Sequence, residues 1–122
     1  MGYRSDIVIG MSKELYTKCM LLNNIPEALN NEQTAIINGT VYWRINDWKW
    51  YDDYPEVRSI QDWFNWCTDE EVNPRTEPTE AGNYPSAHFG ALRSGEDVGD
   101  FDEWGEPSDF DIYRLSDIDA PI

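Results

Sequence analysis

Asn38-Gly39 stands between two β-prone runs, Thr34 to Ile37 and Thr40 to Ile45, and no other feature constrains this chain as much. Both central residues of a type I′ turn need positive φ, which Asn and Gly adopt at least cost. The spacing predicts a hairpin. A lone hairpin is barely stable in water, so the rest of the chain must supply more strands and something to cover them. The second arm alternates Val41, Trp43 and Ile45, then changes parity, because Trp48 and Trp50 follow. Asn46-Asp47 must therefore be a bulge or a second tight turn.

The other elements fall around that hairpin. Asp6 to Met11 is a short apolar run of strand type. Ser12 follows as a helix N-cap, with Glu14 in a first turn that favours negative charge. Leu15, Cys19 and Leu22 recur at helical spacing, and Asn23-Asn24 with Pro26 end or kink that helix. Pro55 opens the most strongly patterned helix, with Asp53 as the cap candidate and Val57, Ile60, Phe64 and Cys67 on one face beside Trp63. His88 to Arg93 and Phe110 to Ser116 read as two further strands. The order of strand, helix, strand pair, helix, strand, strand suggests a ferredoxin-like α+β fold, an antiparallel sheet with two helices on one face. The 122 residues predict a single domain, 1–122, with a long polar loop over 68–87 and an acidic loop over 95–109. The polar loop holds Pro74, Pro78 and Pro85 and is either functional or mobile.

Charge decides which partners are possible. The net charge is −15. Residues 1–61 hold six basic and eight acidic residues, and residues 62–122 hold three basic and sixteen acidic. Such a chain does not hold DNA, RNA or an anionic membrane through its general field; a basic protein surface is its electrostatic complement. No apolar stretch is long enough to span a bilayer, and Met1 to Gly10 lacks the pattern of a secretory signal. The expected location is cytoplasmic, with Cys19 and Cys67 free and buried rather than bridged.

Ten acids and one base, Arg114, lie between Glu96 and Asp119. Pairs such as Asp100 and Asp102, or Asp109 and Asp111, are two residues apart, and in an extended chain they share a face at roughly 6.6 Å. That row is either a surface for a basic partner or a solvated face that keeps the protein soluble. The residues assigned to a partner surface are Glu96, Asp97, Asp100, Asp102, Glu103, Trp104, Glu106, Asp109 and Asp111. Trp104 is either its apolar anchor or a core side chain.

No catalytic residue, metal ligand or cofactor is assigned. From Asp100 the EF-hand pattern is partly met by Asp102, Gly105 and Asp111, but Trp104 replaces a ligand and no helices flank the loop. His88 is the only histidine, and no nucleophile pattern, phosphate-cradling loop or zinc spacing accompanies it. Nine aromatic rings between Tyr42 and Trp66 exceed what one strand and one helix can point inward, so some suit a protein interface or self-association.

The opening Met1-Gly2-Tyr3-Arg4-Ser5-Asp6 resembles that of small uncharacterised proteins of tailed bacteriophages, as do Lys49-Trp50-Tyr51 and Arg93-Ser94-Gly95-Glu96. The resemblance implies a phage gene product acting in the bacterial cytoplasm. Small acidic phage proteins are similar in composition to inhibitors of host defence, of anti-CRISPR or anti-restriction type, some of which mimic DNA. The near-neutral first half argues against mimicry by the whole molecule. The expectation is an acidic inhibitor that occupies a basic surface of a host protein. The alternatives are a self-assembling phage component and, third, a small enzyme or calcium-binding protein.

Overall fold

A computed structural model describes residues 4–74, 87–97, 99–114 and 117–122. The described strands are β1 (Ser5–Ser12), β2 (Gln33–Ile37), β3 (Thr40–Trp48), β4 (Phe89–Gly95), β5 (Phe101–Gly105), β6 (Tyr113–Arg114) and β7 (Ile118–Asp119). The helices are α1 (Lys13–Leu22) and α2 (Pro55–Thr68), with short 3-10 turns at Glu27–Leu29 and Pro107–Phe110. The first five strands form one sheet in the order β2-β3-β1-β4-β5, with every neighbour antiparallel. The protein is thus a mixed α+β fold built on a five-stranded antiparallel sheet and two helices.

Local signals place most of these elements. The Ser12 side chain accepts the Leu15 amide and caps α1, and Asn23 ends it in the left-handed region at φ 52°. Asn38 and Gly39 have φ of 51° and 81°, as a type I′ turn requires. Asn46-Asp47 is the bulge: the β1–β3 register slips between Ile7 and Ser5, Asp47 sits at φ 59°, and its amide is held by the Asp6 carboxylate at 2.9 Å. The extra residue returns Trp48 to the face of Trp43 and Ile45. Tyr54, not Asp53, precedes the first turn of α2, and its side chain makes no capping hydrogen bond; Pro55 begins the helix instead.

The central strand β1 is buried on both faces from Ile7 through Met11. Ile7, Ile9, Met11, Val41, Trp43, Ile45, Phe89 and Ala91 meet Leu15 and Cys19 of α1 and five buried residues of α2. Val8, Tyr42 and Leu92 point the other way and are covered by Phe110, Ile112 and Ile118. The expected strand over Phe110 to Ser116 is therefore corrected. The chain reverses at Asp111 (φ 59°), and within the described residues only the two-residue β6 extends there.

Two glycines explain why. Gly10 and Gly90 are opposite each other on β1 and β4. A Cβ on Gly10 would lie 2.7 Å from the Phe110 Cβ, and one on Gly90 would lie 2.6 Å from the Glu106 carbonyl oxygen. Together they leave a flat trough in which the Pro107–Phe110 turn lies against the sheet. The Tyr42 hydroxyl donates to the Phe110 carbonyl at 2.7 Å and fixes the turn there. The expected loop over 68–87 lies outside the described residues from 75 to 86.

Candidate functional site

The segment expected as an acidic loop over 95–109 contains an edge strand, β5. A tight turn through Asp97 and Asp100 returns the chain onto β4, with Asp100 N–H bonded to the Asp97 carbonyl and Gly95 N–H to the Asp100 carbonyl. The register sets Arg93 opposite Asp102 and Ala91 opposite Trp104. That register gives three of the expected site residues contacts within the chain.

Arg93 is only 6% exposed. Its guanidinium donates to Asp102 and Ser5 at 2.8 Å each and to both oxygens of Asp100. Burial works against its charge, but the two carboxylates outweigh burial and hold its pKa above the ordinary arginine value. Asp100 and Asp102 are thus both paired with Arg93, while their carboxylates stay partly open to solvent. The same two aspartates fill the first two positions of the partial calcium pattern; among the described residues no three His, Cys, Asp or Glu side chains come together to hold a metal ion. Trp104 faces inward, with its ring 4.8 Å from that of Phe64 and 6.3 Å from that of Trp50. Of the two roles expected for Trp104, this packing is that of a core side chain, partly buried against the helix layer.

The remaining acids are spread along the edge. Glu96 is exposed and accepts the Arg4 amide at 2.9 Å, and Asp97 is exposed in the turn. Asp109 accepts the Ala87 amide at 3.4 Å. Asp111 is exposed near Tyr42, whose pKa is raised first by burial and then by that negative charge. Glu103 is exposed, and Glu106 is half-buried beside it.

The sequence reading missed the apolar part of this surface. Phe101 and Trp104 are three apart on β5, so they point to opposite faces. With Trp104 inside, Phe101 is 45% exposed, and Tyr113 is 46% exposed nearby. Phe101, Glu103, Glu106, Pro107, Ile112 and Tyr113 line a cleft of about 330 Å³. The Arg114 guanidinium lies 4.4 Å from the centre of the Phe101 ring in this cleft. Parity along the Phe-Asp-Glu-Trp-Gly run was the available signal, since it forces one of the two rings outward. The surface can therefore stack a cation on an aromatic face and neutralise it with carboxylates.

His88 meets the residue that caps α1. Its Nδ1 is 2.7 Å from the Ser12 hydroxyl that caps α1. No described helix is long and apolar enough to cross a membrane. No family model matches the chain, and neither a curated protein nor a solved structure matches it.

Proposed function

We propose that this protein acts by binding a basic surface on a bacterial host protein, one that handles nucleic acid or serves defence, and that the β5 edge is the contact. The observation that carries this reading is the cleft in which exposed Phe101 and Tyr113 stand beside Glu103 and Glu106. The chain's own Arg114 on Phe101 is a template for a partner arginine. The mechanism is occupancy, with carboxylates where the target otherwise holds phosphate; the mimicry is confined to one edge. The phage-like opening residues and the charge of −15 agree with a role in the cytoplasm of an infected cell. We also read the fold as ferredoxin-like with one added strand. The β2-β3-β1-β4 order, both helices on one face and β5 appended at the edge support that reading.

The test is affinity capture from bacterial lysate with the wild type and with the F101A/E103K variant. Glu103 is exposed, and Phe101 is 45% exposed beneath the Arg114 guanidinium, so the pair should cost about 1–2 kcal/mol and leave the protein folded. A basic protein that binds at low salt, elutes at high salt and is lost by the variant supports the proposal. Equal capture by both proteins sinks it.

A second reading, a self-assembling component, rests on a different place. Ile36 on β2 is 64% exposed, and Met20, Leu21 and Leu22 on α1 are 57%, 83% and 57% exposed. Light scattering on the pure protein separates the two, because assembly through apolar side chains persists at high salt.

A further inference from the structure

We propose that the partner joins the five-stranded sheet as a further strand on the outer side of β5, through an extended segment with arginine or lysine at alternate positions. This inference rests on the β5 contact put forward above and adds the partner's conformation and its sequence pattern.

Two backbone bonds fix the side to which each group on β5 points. Gly95 N–H donates to the Asp100 carbonyl at 2.8 Å, and Glu106 N–H donates to the Phe89 carbonyl at 3.1 Å. Between them the register sets Arg93 opposite Asp102 and Ala91 opposite Trp104. Both bonds fall on the same alternation, and in an antiparallel ladder every second pair is a bonded one. The amides and carbonyls of Asp102 and Trp104 therefore point to β4, and those of Phe101 and Glu103 point away from the sheet. β5 ends the strand order, so among the described residues no strand meets that outer row. Four of the five residues of β5 are exposed, which leaves the row within reach of a foreign chain.

Side chains alternate in step with the backbone. Phe101 and Glu103, whose amides point outward, both carry their side chains on the face of the cleft. In an antiparallel pair, residues directly opposite each other place their side chains on one face. The partner residues opposite Phe101 and Glu103 thus send their side chains to the cleft, and their own amides bond β5. The residue between them points to the other face. A cation opposite Glu103 meets its carboxylate across the strand pair, and one opposite Phe101 lies along the ring. Main-chain bonds hold such a strand, and alternate side chains select its sequence.

Charge directs the segment to this edge. β5 carries Asp102 and Glu103 and no basic residue, and Glu106 follows it. β2, at the other edge, has no charged residue at all. A segment with cations at alternate positions is therefore complementary to β5 and not to β2.

The experiment is an NMR titration of the isotope-labelled protein at low salt. The probe is a short blocked threonine peptide with two arginines one residue apart. In the free protein the amides of Phe101 and Glu103 should exchange with solvent faster than those of Asp102 and Trp104. Bound peptide should slow exchange at Phe101 and Glu103 about tenfold and leave Thr34 and Ile36 on β2 unchanged. N-methylation of both arginine amides should weaken binding about tenfold, and N-methylation of the residue between them no more than about twofold. Two adjacent arginines should bind about threefold more weakly, because one of them then leaves the cleft face. Equal loss from the two methylations overturns strand addition. So does failure of the peptide to bind, or slow exchange at Phe101 and Glu103 before it is added. If lysate capture still depends on Phe101 and Glu103 in those cases, a basic partner at β5 stands and is held by side chains alone. Strand addition without any lysate capture overturns the host-protein role and leaves the edge site intact.

Discussion

The two edges of the sheet are protected by opposite means. β5 carries Asp102 and Glu103 along its five residues, and the Pro107–Phe110 turn packs beside it against Gly90. β2 has no charged side chain between Gln33 and Ile37, and its Ile36 is 64% exposed. An open edge offers unpaired amides and carbonyls to any extended chain. Charge at β5 repels another copy of so acidic a protein but admits a basic segment. β2 has no such filter. Under the proposed role, a contact with a foreign basic partner would fall at β5 and self-pairing at β2.

Removing the cover under the β5 cleft should have the largest effect. Phe110 is 6% exposed and lies on Gly10. F110A should cost about 3–4 kcal/mol, as truncation of a buried Phe generally does. Urea unfolding gives that number. In the protein that stays folded, partner capture at β5 should fail while any association through β2 persists. Loss of both together would mean that the edges are not independent.

The acid pair around Arg93 comes next. D100A/D102A leaves a buried guanidinium with Ser5 alone, and the carboxylates are themselves 35% and 50% exposed. The cost should be about 1–3 kcal/mol, readable as a lower denaturation midpoint. Adding R93M should recover part of it, because the uncompensated charge goes. No recovery would mean that the pair matters through the turn rather than through the ion pair. These two aspartates are therefore poor probes of binding, and Glu103 is the better one.

Tyr42 offers a smaller effect with a sign fixed by its environment. Burial and the Asp111 charge raise its pKa above the ordinary 10.0. A raised pKa means that the folded state keeps the proton longer than the unfolded state does. The resulting stability is full below about pH 10 and declines as pH rises through the folded pKa. Y42F should lose about 1 kcal/mol at neutral pH from the hydrogen bond to Phe110. It should also show a shallower alkaline decline than the wild type, and parallel curves would discard this account.

How much of this was legible follows from where each signal resides. Ser12, Asn38-Gly39 and the α2 stripe act within a few residues, so their chemistry is written locally. The acidic segment was not legible. Its acids look alike in sequence, and only register with β4 tells Asp102, opposite Arg93, from Glu103, opposite Leu92. The C-terminal cover was hidden for a related reason. Gly10 and Gly90 are far apart in the chain, and neither announces that they lie side by side as a seat for Phe110. Trp104 stayed open between two roles because its Glu and Gly neighbours suggest a surface, while strand parity turns it inward.

The smallest effect on stability gives the sharpest test of the two edges. The two-residue turn makes Ile37 and Thr40 a hydrogen-bonded pair, so the amides of Ala35 and Gln33 also face β3 and those of Thr34 and Ile36 face outward. A second copy paired antiparallel about Ala35 sets Ile36 of one beside Thr34 of the other. I36K places a cation on that outer row, where edge lysines oppose pairing. Because Ile36 is already 64% exposed, stability should move by no more than about 0.5 kcal/mol. In sedimentation, any wild-type self-association should disappear in I36K, while salt-sensitive capture of a basic partner at β5 stays unchanged. If I36K also loses that partner, binding runs through β2, and the charge on β5 serves only to keep its own edge unpaired.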